Sequence, residues 1–179
     1  LATLVAGAER VRVVGGGHGF NASPKTDGLL ISLDDMNAIV ALDPVAGTAR
    51  VQAGLRLRDL NQALWQRGFA LSLLGSTDVQ SVGGVLASDV HGTGRDHGFV
   101  SEQVRRLRVM AADGSARWVG PDDDVFRAVC GGLGTCGIVT EVEAEIVPAY
   151  HLEKAPRMVD RVEAEADVEA RLNDHRHLS

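Results

Sequence analysis

Aromatic side chains are scarce in this 179-residue chain, at 4% of the sequence. Lysine is almost missing, with two against sixteen arginines, and the formal net charge is −6. That balance excludes a sequence-independent nucleic-acid binder, which needs a basic face. Cysteine is limited to Cys130 and Cys136. Two cysteines make no disulfide framework, and no neighbouring ligands complete a zinc site. They are expected as reduced, buried thiols in a reducing, cytoplasmic compartment. No apolar run approaches the ~20 residues that span a bilayer. The start carries neither a signal-peptide pattern nor a methionine, and it reads as the inside of a longer protein.

Glycine is what the chain has in excess. It numbers 21, well above the usual ~7%. The glycines are not periodic, so collagen-like and low-complexity readings fail. They fall in three stretches, around 15–19, 75–94 and 131–137.

The hydrophobic pattern predicts an α+β fold in two α/β lobes, about 1–70 and 71–150, the second mainly antiparallel. Residues 1–10 end a helix. Short strands are expected at Val11–Val14, Leu29–Leu33, Ala38–Leu42 and Thr48–Ala53. Leu57, Leu60, Ala63 and Leu64 recur at helical spacing, so Arg58–Arg67 reads as a helix stopped by Gly68. Asp113-Gly114 between two β-rich runs predicts a hairpin. Asp122-Asp123-Asp124 reads as the acidic start of a helix over Val125–Val129. Ile138–Val147 alternates apolar residues with Glu141, Glu143 and Glu145, as a half-buried strand does. The segment 75–94 reads as a long polar loop. Residues 151–179 read as the start of a truncated C-terminal substrate or cap domain, too short to bury a core.

Gly132-Leu133-Gly134-Thr135-Cys136-Gly137 matches G-x-G-x-x-G, yet a helix precedes it and a strand follows. That order is the reverse of a Rossmann fingerprint. Gly15-Gly16-Gly17-His18 follows a strand and carries no Gly-Lys-Ser/Thr, so it is not a P-loop. Its unobstructed amides can form an anion nest. His91, His97, His175 and His177 lack carboxylates placed to complete a metal site. No Ser-His-Asp or Cys-His set stands out, and no catalytic residue is assigned. Three glycine loops with neutral hydroxyls fit a long, polar, phosphate-bearing cofactor.

Five collinear stretches resemble the vanillyl-alcohol-oxidase/p-cresol-methylhydroxylase (PCMH-type) flavoproteins, most of all the sugar-lactone and alditol oxidases. They are Val11–Phe20, Leu30–Met36, Val51–Gly54 with Leu57–Asn61, Ser81–Gly84 with His91–Gly94, and Gly132–Gly134 with Gly137–Thr140. The resemblance implies a PCMH-type FAD-binding domain over 1–150. It implies FAD contacts from Val14, Gly15, Gly16, Gly17, Gly19 and Phe20 at the first loop. It adds Ser76, Thr77, Ser81, Val82, Gly83, Gly84, Ser88, His91, Gly92 and Thr93 on the flavin side, and the Ile138 backbone at the adenine end. His18 stands where many members carry FAD covalently.

Gly19 replaces a usual Ser. Asp89-Val90 before His91 is closer to decaprenylphosphoryl-ribose oxidase, a relative with non-covalent FAD. The implied reaction is oxidation of a CH–OH group of a polyol, sugar or aldonolactone by hydride transfer to flavin N5. O2 or another acceptor then takes the electrons. The rival reading is an isolated FAD-binding module with no catalysis of its own.

Overall fold

The computed structural model describes residues 1–175 and His177. Helix α1 (Ala2–Ala6) leads into strand β1 (Val11–Val14), which pairs in parallel with β2 (Leu29–Ser32). The main sheet has five strands in the order β3-β4-β8-β6-β7, all antiparallel. These are β3 (Ile39–Asp43), β4 (Thr48–Gln52), β6 (Val104–Met110), β7 (Ala116–Val119) and β8 (Ile138–Glu145). A small ladder joins β5 (Phe69–Ala70) to β9 (Val147–Pro148). The architecture is the expected mixture of helix and antiparallel sheet. The main sheet draws strands from both sides of residue 70, so it runs across the expected lobe boundary.

Alternation sets the two faces of this sheet. Ala49, Val51, Leu107 and Val142 point inward and are at most 1% exposed. The other face is charged. Arg106 lies opposite Glu143, and Arg108 opposite Glu141. Both pairs are bonded, at 2.8 and 2.9 Å. Such exposed cross-strand pairs each contribute only tenths of a kcal/mol, roughly 0.2–1. The inward face makes the fold, and the outward one keeps it solvated.

Helix α2 (Leu57–Trp65) buries Leu57, Leu60 and Leu64 on one side, as its spacing requires. Gly68 ends it with φ +77° while its amide donates to Trp65 O. Asp123 caps α4 (Asp124–Val129) by accepting from the Val125 amide at 2.8 Å. Arg117 beside it holds the Asp123 carboxyl below the usual range. The Asp-Gly hairpin is present between β6 and β7, with Gly114 at φ +81°.

The expected polar loop over 75–94 is corrected. It contains α3 (Val82–Ala87), whose Val82, Val85 and Leu86 are core residues. A 3₁₀ turn follows at Val100–Gln103. Residues 151–160 hold no regular element, and α5 (Arg161–Asp174) has no buried residue. Among the described residues, no helix is long and apolar enough to cross a membrane.

Leu107 is fully enclosed at the centre of the sheet. Leu107→Ala should lower unfolding free energy by about 3 kcal/mol, the usual cost of such a cavity. Chemical denaturation with an unchanged m-value checks this.

Candidate cofactor site

Helix α3 positions the site. Its backbone is tied to the sheet in two steps: Ala53 N donates to Thr140 O at 3.0 Å, and Gly83 N donates to Ala53 O at 2.7 Å. Val82 N donates to Leu55 O, and Ser81 Oγ accepts from Gly84 N at 3.3 Å as the N-cap. The first amides of α3 are therefore all used by the protein itself. Gly83 is small because Ala53 lies where its Cβ would be, 3.0 Å away. The amides of Val82, Gly83 and Gly84 are thus engaged within the protein, and that of Gly83 ties α3 to the sheet.

The other end of α3 explains the reversed G-x-G-x-x-G. Gly131 N donates to Leu86 O at 2.9 Å, and Leu133 N donates to Ala87 O at 2.8 Å. Terminal helix carbonyls need such partners. The glycine-rich turn caps a helix C-terminus here, with Leu133 itself at φ +51°.

Three backbone runs are left with free amides. Among the described residues, no amide in 15–20 or 75–81 donates to a protein acceptor, and in 91–96 amides are engaged only where His91 bridges Phe99. The first two runs meet directly. A Cβ on Gly15 would overlap Ser81 Oγ, and one on Gly16 would stand 3.1 Å from Val79 O. The second and third meet where a Gly75 Cβ would come 2.7 Å from Val90 Cγ1, and where Gly92 lies on Leu74. Around Gly17 and Gly19, by contrast, nothing lies within 4 Å of an added Cβ. Convergent free amides with open space in front form an anion cradle.

The side chains divide by accessibility. His18, Gly17, Gly19, Phe20, Ser76, Thr77 and His91 are exposed. Val14 is half-buried at the end of β1. Ser81 is 2% exposed, and its hydroxyl works as a cap. Ser88 Oγ donates back to Gly84 O at 3.1 Å. Ile138 is 8% exposed with its side chain in the core, so only its main chain could serve a ligand. Thr93 is engaged by His177, whose Nδ1 lies 2.7 Å from Thr93 O. Gly75 and Thr93 border a cavity of about 980 Å³, closed on its far side by residues of 152–177.

Two residues here were given no role in the sequence reading. Asp89 adopts φ +44° and accepts from Ser101 N at 3.1 Å and Ser101 Oγ at 2.9 Å. It pins the run before His91 to the 3₁₀ turn. Arg56 stands behind Gly16 and bonds Asp34 at 2.6 Å. An arginine at a helix N-cap is an unusual choice, and that was the available signal. Among the described residues, no cluster of three His, Cys, Asp or Glu could hold a metal ion.

The expectation of two buried thiols holds for neither fully. Cys130 is half-buried and Cys136 is exposed, on the outward turn that follows Gly134. Burial, and then the nearby Asp89 charge, push the Cys130 thiol up to about 11.

A glycine cradle with free amides around one short helix defines a domain that holds a phosphate-bearing cofactor. Residues 3–120 match the FAD binding domain, and the chain belongs to that family. Its cofactor is FAD. Orphaned amides around open space fit the diphosphate of that group.

The chain is 38% identical to the L-gulonolactone oxidase of Mus musculus over 80% of its length. It is 34% identical to the L-gulono-1,4-lactone dehydrogenase of Mycobacterium tuberculosis over 82%. It is 32% identical to the D-arabinono-1,4-lactone oxidase of Yarrowia lipolytica over 83%. It spans 33%, 34% and 30% of those proteins respectively, about a third of each. A solved alkyldihydroxyacetonephosphate synthase shares the fold, with TM-score 0.68 and 21% identity. That match covers 77% of this chain and 29% of the synthase.

Thiol labelling of the native protein at pH 8 should modify Cys136 alone. A raised pKa leaves Cys130 protonated there, and only thiolate reacts. Mass spectrometry of the labelled peptides checks this, and Cys130 should react once the protein is unfolded.

Proposed function

We propose that this domain holds FAD for the oxidation of a CH–OH carbon on an aldono-1,4-lactone by the whole protein. The observation that carries the reading is the cradle of three free-amide runs in an FAD-binding domain. The relatives' names supply the substrate class, since all three name a gulono- or arabinonolactone and two of them specify the 1,4-lactone. This is narrower than the polyol, sugar or lactone class that the sequence implies.

Bound FAD supplies a hydride acceptor at N5, and its electrons pass on to O2 or another acceptor. The protein's part is placement. The amides of 15–20 take the diphosphate. The runs 75–81 and 91–96 line the flavin side, with Ser76, Thr77 and His91 offering exposed polar groups. The cavity bordered by Gly75 and Thr93 lies within the size range of small-molecule sites, ~300–1,000 Å³. It is the place where substrate approaches the ring.

His18 is the covalent anchor in this reading. It is exposed, and its Nδ1 lies 3.0 Å from the position of a Gly16 Cβ, with the open positions of Gly17 and Gly19 on either side. A neutral imidazole nitrogen is a competent nucleophile.

Two measurements on the full-length protein test the proposal. Anaerobic addition of L-gulono-1,4-lactone should bleach the flavin band near neutral pH. A spectrum unmoved by any aldonolactone would leave a cofactor-binding module. Acid-denatured wild type should keep its yellow fluorescence on the protein band, and His18→Ala should lose it. Complete release of FAD from the wild type would remove the covalent anchor and leave the binding site standing.

A further inference from the structure

Arg56 is the N-cap residue of α2, yet its side chain caps nothing. Ser, Thr, Asp and Asn are the groups that serve at that position. The guanidinium turns instead toward the first glycine loop. Nη2 donates to Asp34 Oδ1 at 2.6 Å. Nη1 lies 2.6 Å from where a Cβ on Gly16 would stand. It is buried and has no hydrogen-bond partner among the described residues. Guanidinium stays charged at every physiological pH. Its one acidic partner, Asp34, has a side chain 59% exposed, so water screens that attraction. Nη1 is thus a buried donor with no acceptor, on a guanidinium whose side chain is 32% exposed and which is bonded through Nη2 to Asp34. A buried donor left unpaired costs stability.

The loop in front of it has the complementary property. Its amides have no protein acceptor either, and an added Cβ at Gly17 or Gly19 would meet nothing within 4 Å. A diphosphate resting on Gly15–Phe20 would sit next to Gly16, whose Cβ position lies 2.6 Å from Arg56 Nη1 and 3.0 Å from His18 Nδ1. We propose that Arg56 is a positioning residue for the cofactor's diphosphate, holding a fixed positive charge behind the Gly15–Phe20 amides. It acts through the loop and not by direct contact, because Nη1 has no exposed surface. Gly16 has to be glycine for the charge to come this close. The inference rests on the reading that this loop takes the diphosphate.

The test uses the full-length protein carrying His18→Ala, so that FAD exchange is reversible. Apo-protein is titrated with FAD at several salt concentrations, and its thermal unfolding is followed separately. Arg56→Gln should weaken FAD binding about tenfold, the scale of one charge-assisted contact. It should flatten the salt dependence and leave apo-protein melting unchanged or raised, since a buried donor without an acceptor is removed and the pair lost with Asp34 is exposed. Arg56→Lys should recover much of the affinity.

Unchanged affinity in Arg56→Gln would overturn the proposal. So would an equal loss in Arg56→Lys, or a loss accompanied by a matching drop in apo-protein melting; both mean that the side chain only packs. Gly17→Asp against Gly17→Asn separates the underlying reading. A negative charge on the open side should expel FAD where the neutral amide does not. Equal binding by these two would show that the diphosphate lies elsewhere.

Discussion

The close approach of Gly15 to Ser81 is the constraint on which the site depends. Ser81 is buried because it caps α3, and its hydroxyl already faces Gly84. Only a residue without a Cβ can lie on top of it. That contact brings the end of β1 against the start of α3, and so joins the parallel pair to the five-stranded sheet. The sheet is reached through Gly83 and Ala53 to Thr140. Each link is a backbone hydrogen bond, so the loop inherits the rigidity of the central strands. A side chain at Gly15 would lift the whole first run away from the second.

The electrostatics follow from this economy of backbone. Most arginines with a partner bond carboxylates on the surface, as Arg106 and Arg108 do across the sheet. One such pair, Arg58 with Asp78 at 3.6 Å, lies at the second run itself. The cradle uses partial charges on amides, which need no side-chain entropy to aim and cannot be screened by a flexible partner. Arg56 is the cation that the fold brings close to the first run, and it is kept behind the backbone. The exposed Asp34 holds it in orientation without fully neutralising it.

Much of this was legible in the sequence, for physical reasons that differ by element. Periodicity placed β8 and α2 within a residue or two, because their apolar residues recur on one side, and β1 fell on its expected range although all four of its residues are half-buried. The hairpin and the Asp123 cap followed from turn and capping chemistry, which is local. Helix α3 was not legible. Val82–Ala87 contains two glycines and has only six residues, too short for a helical stripe to declare itself. It forms because both its ends are capped by distant segments, and no local window contains that information. The hydrogen bonding of Val82 and Gly83 was hidden for the same reason, since their amides look available until Leu55 and Ala53 are brought beside them. Arg56, just outside the predicted Arg58–Arg67 helix, was given no role.

The glycines themselves carry the clearest lesson about reading such a site. They fall into two physical groups that a motif cannot distinguish. Gly15, Gly83 and Gly92 are small because protein atoms occupy the space of a side chain. Gly17 and Gly19 have empty space there. The first group builds the fold, and substitution there acts on structure before it acts on any ligand. The second group leaves an opening that the protein does not fill, beside amides that the protein does not use. Because Gly17–Phe20 are exposed, water satisfies those amides until a ligand takes its place. Open space alone is not the signal, since Gly68 and Gly134 also have no neighbour yet lie in turns that follow helices. It is the combination of open space with a run of unused amides that sets apart the loop that carries His18.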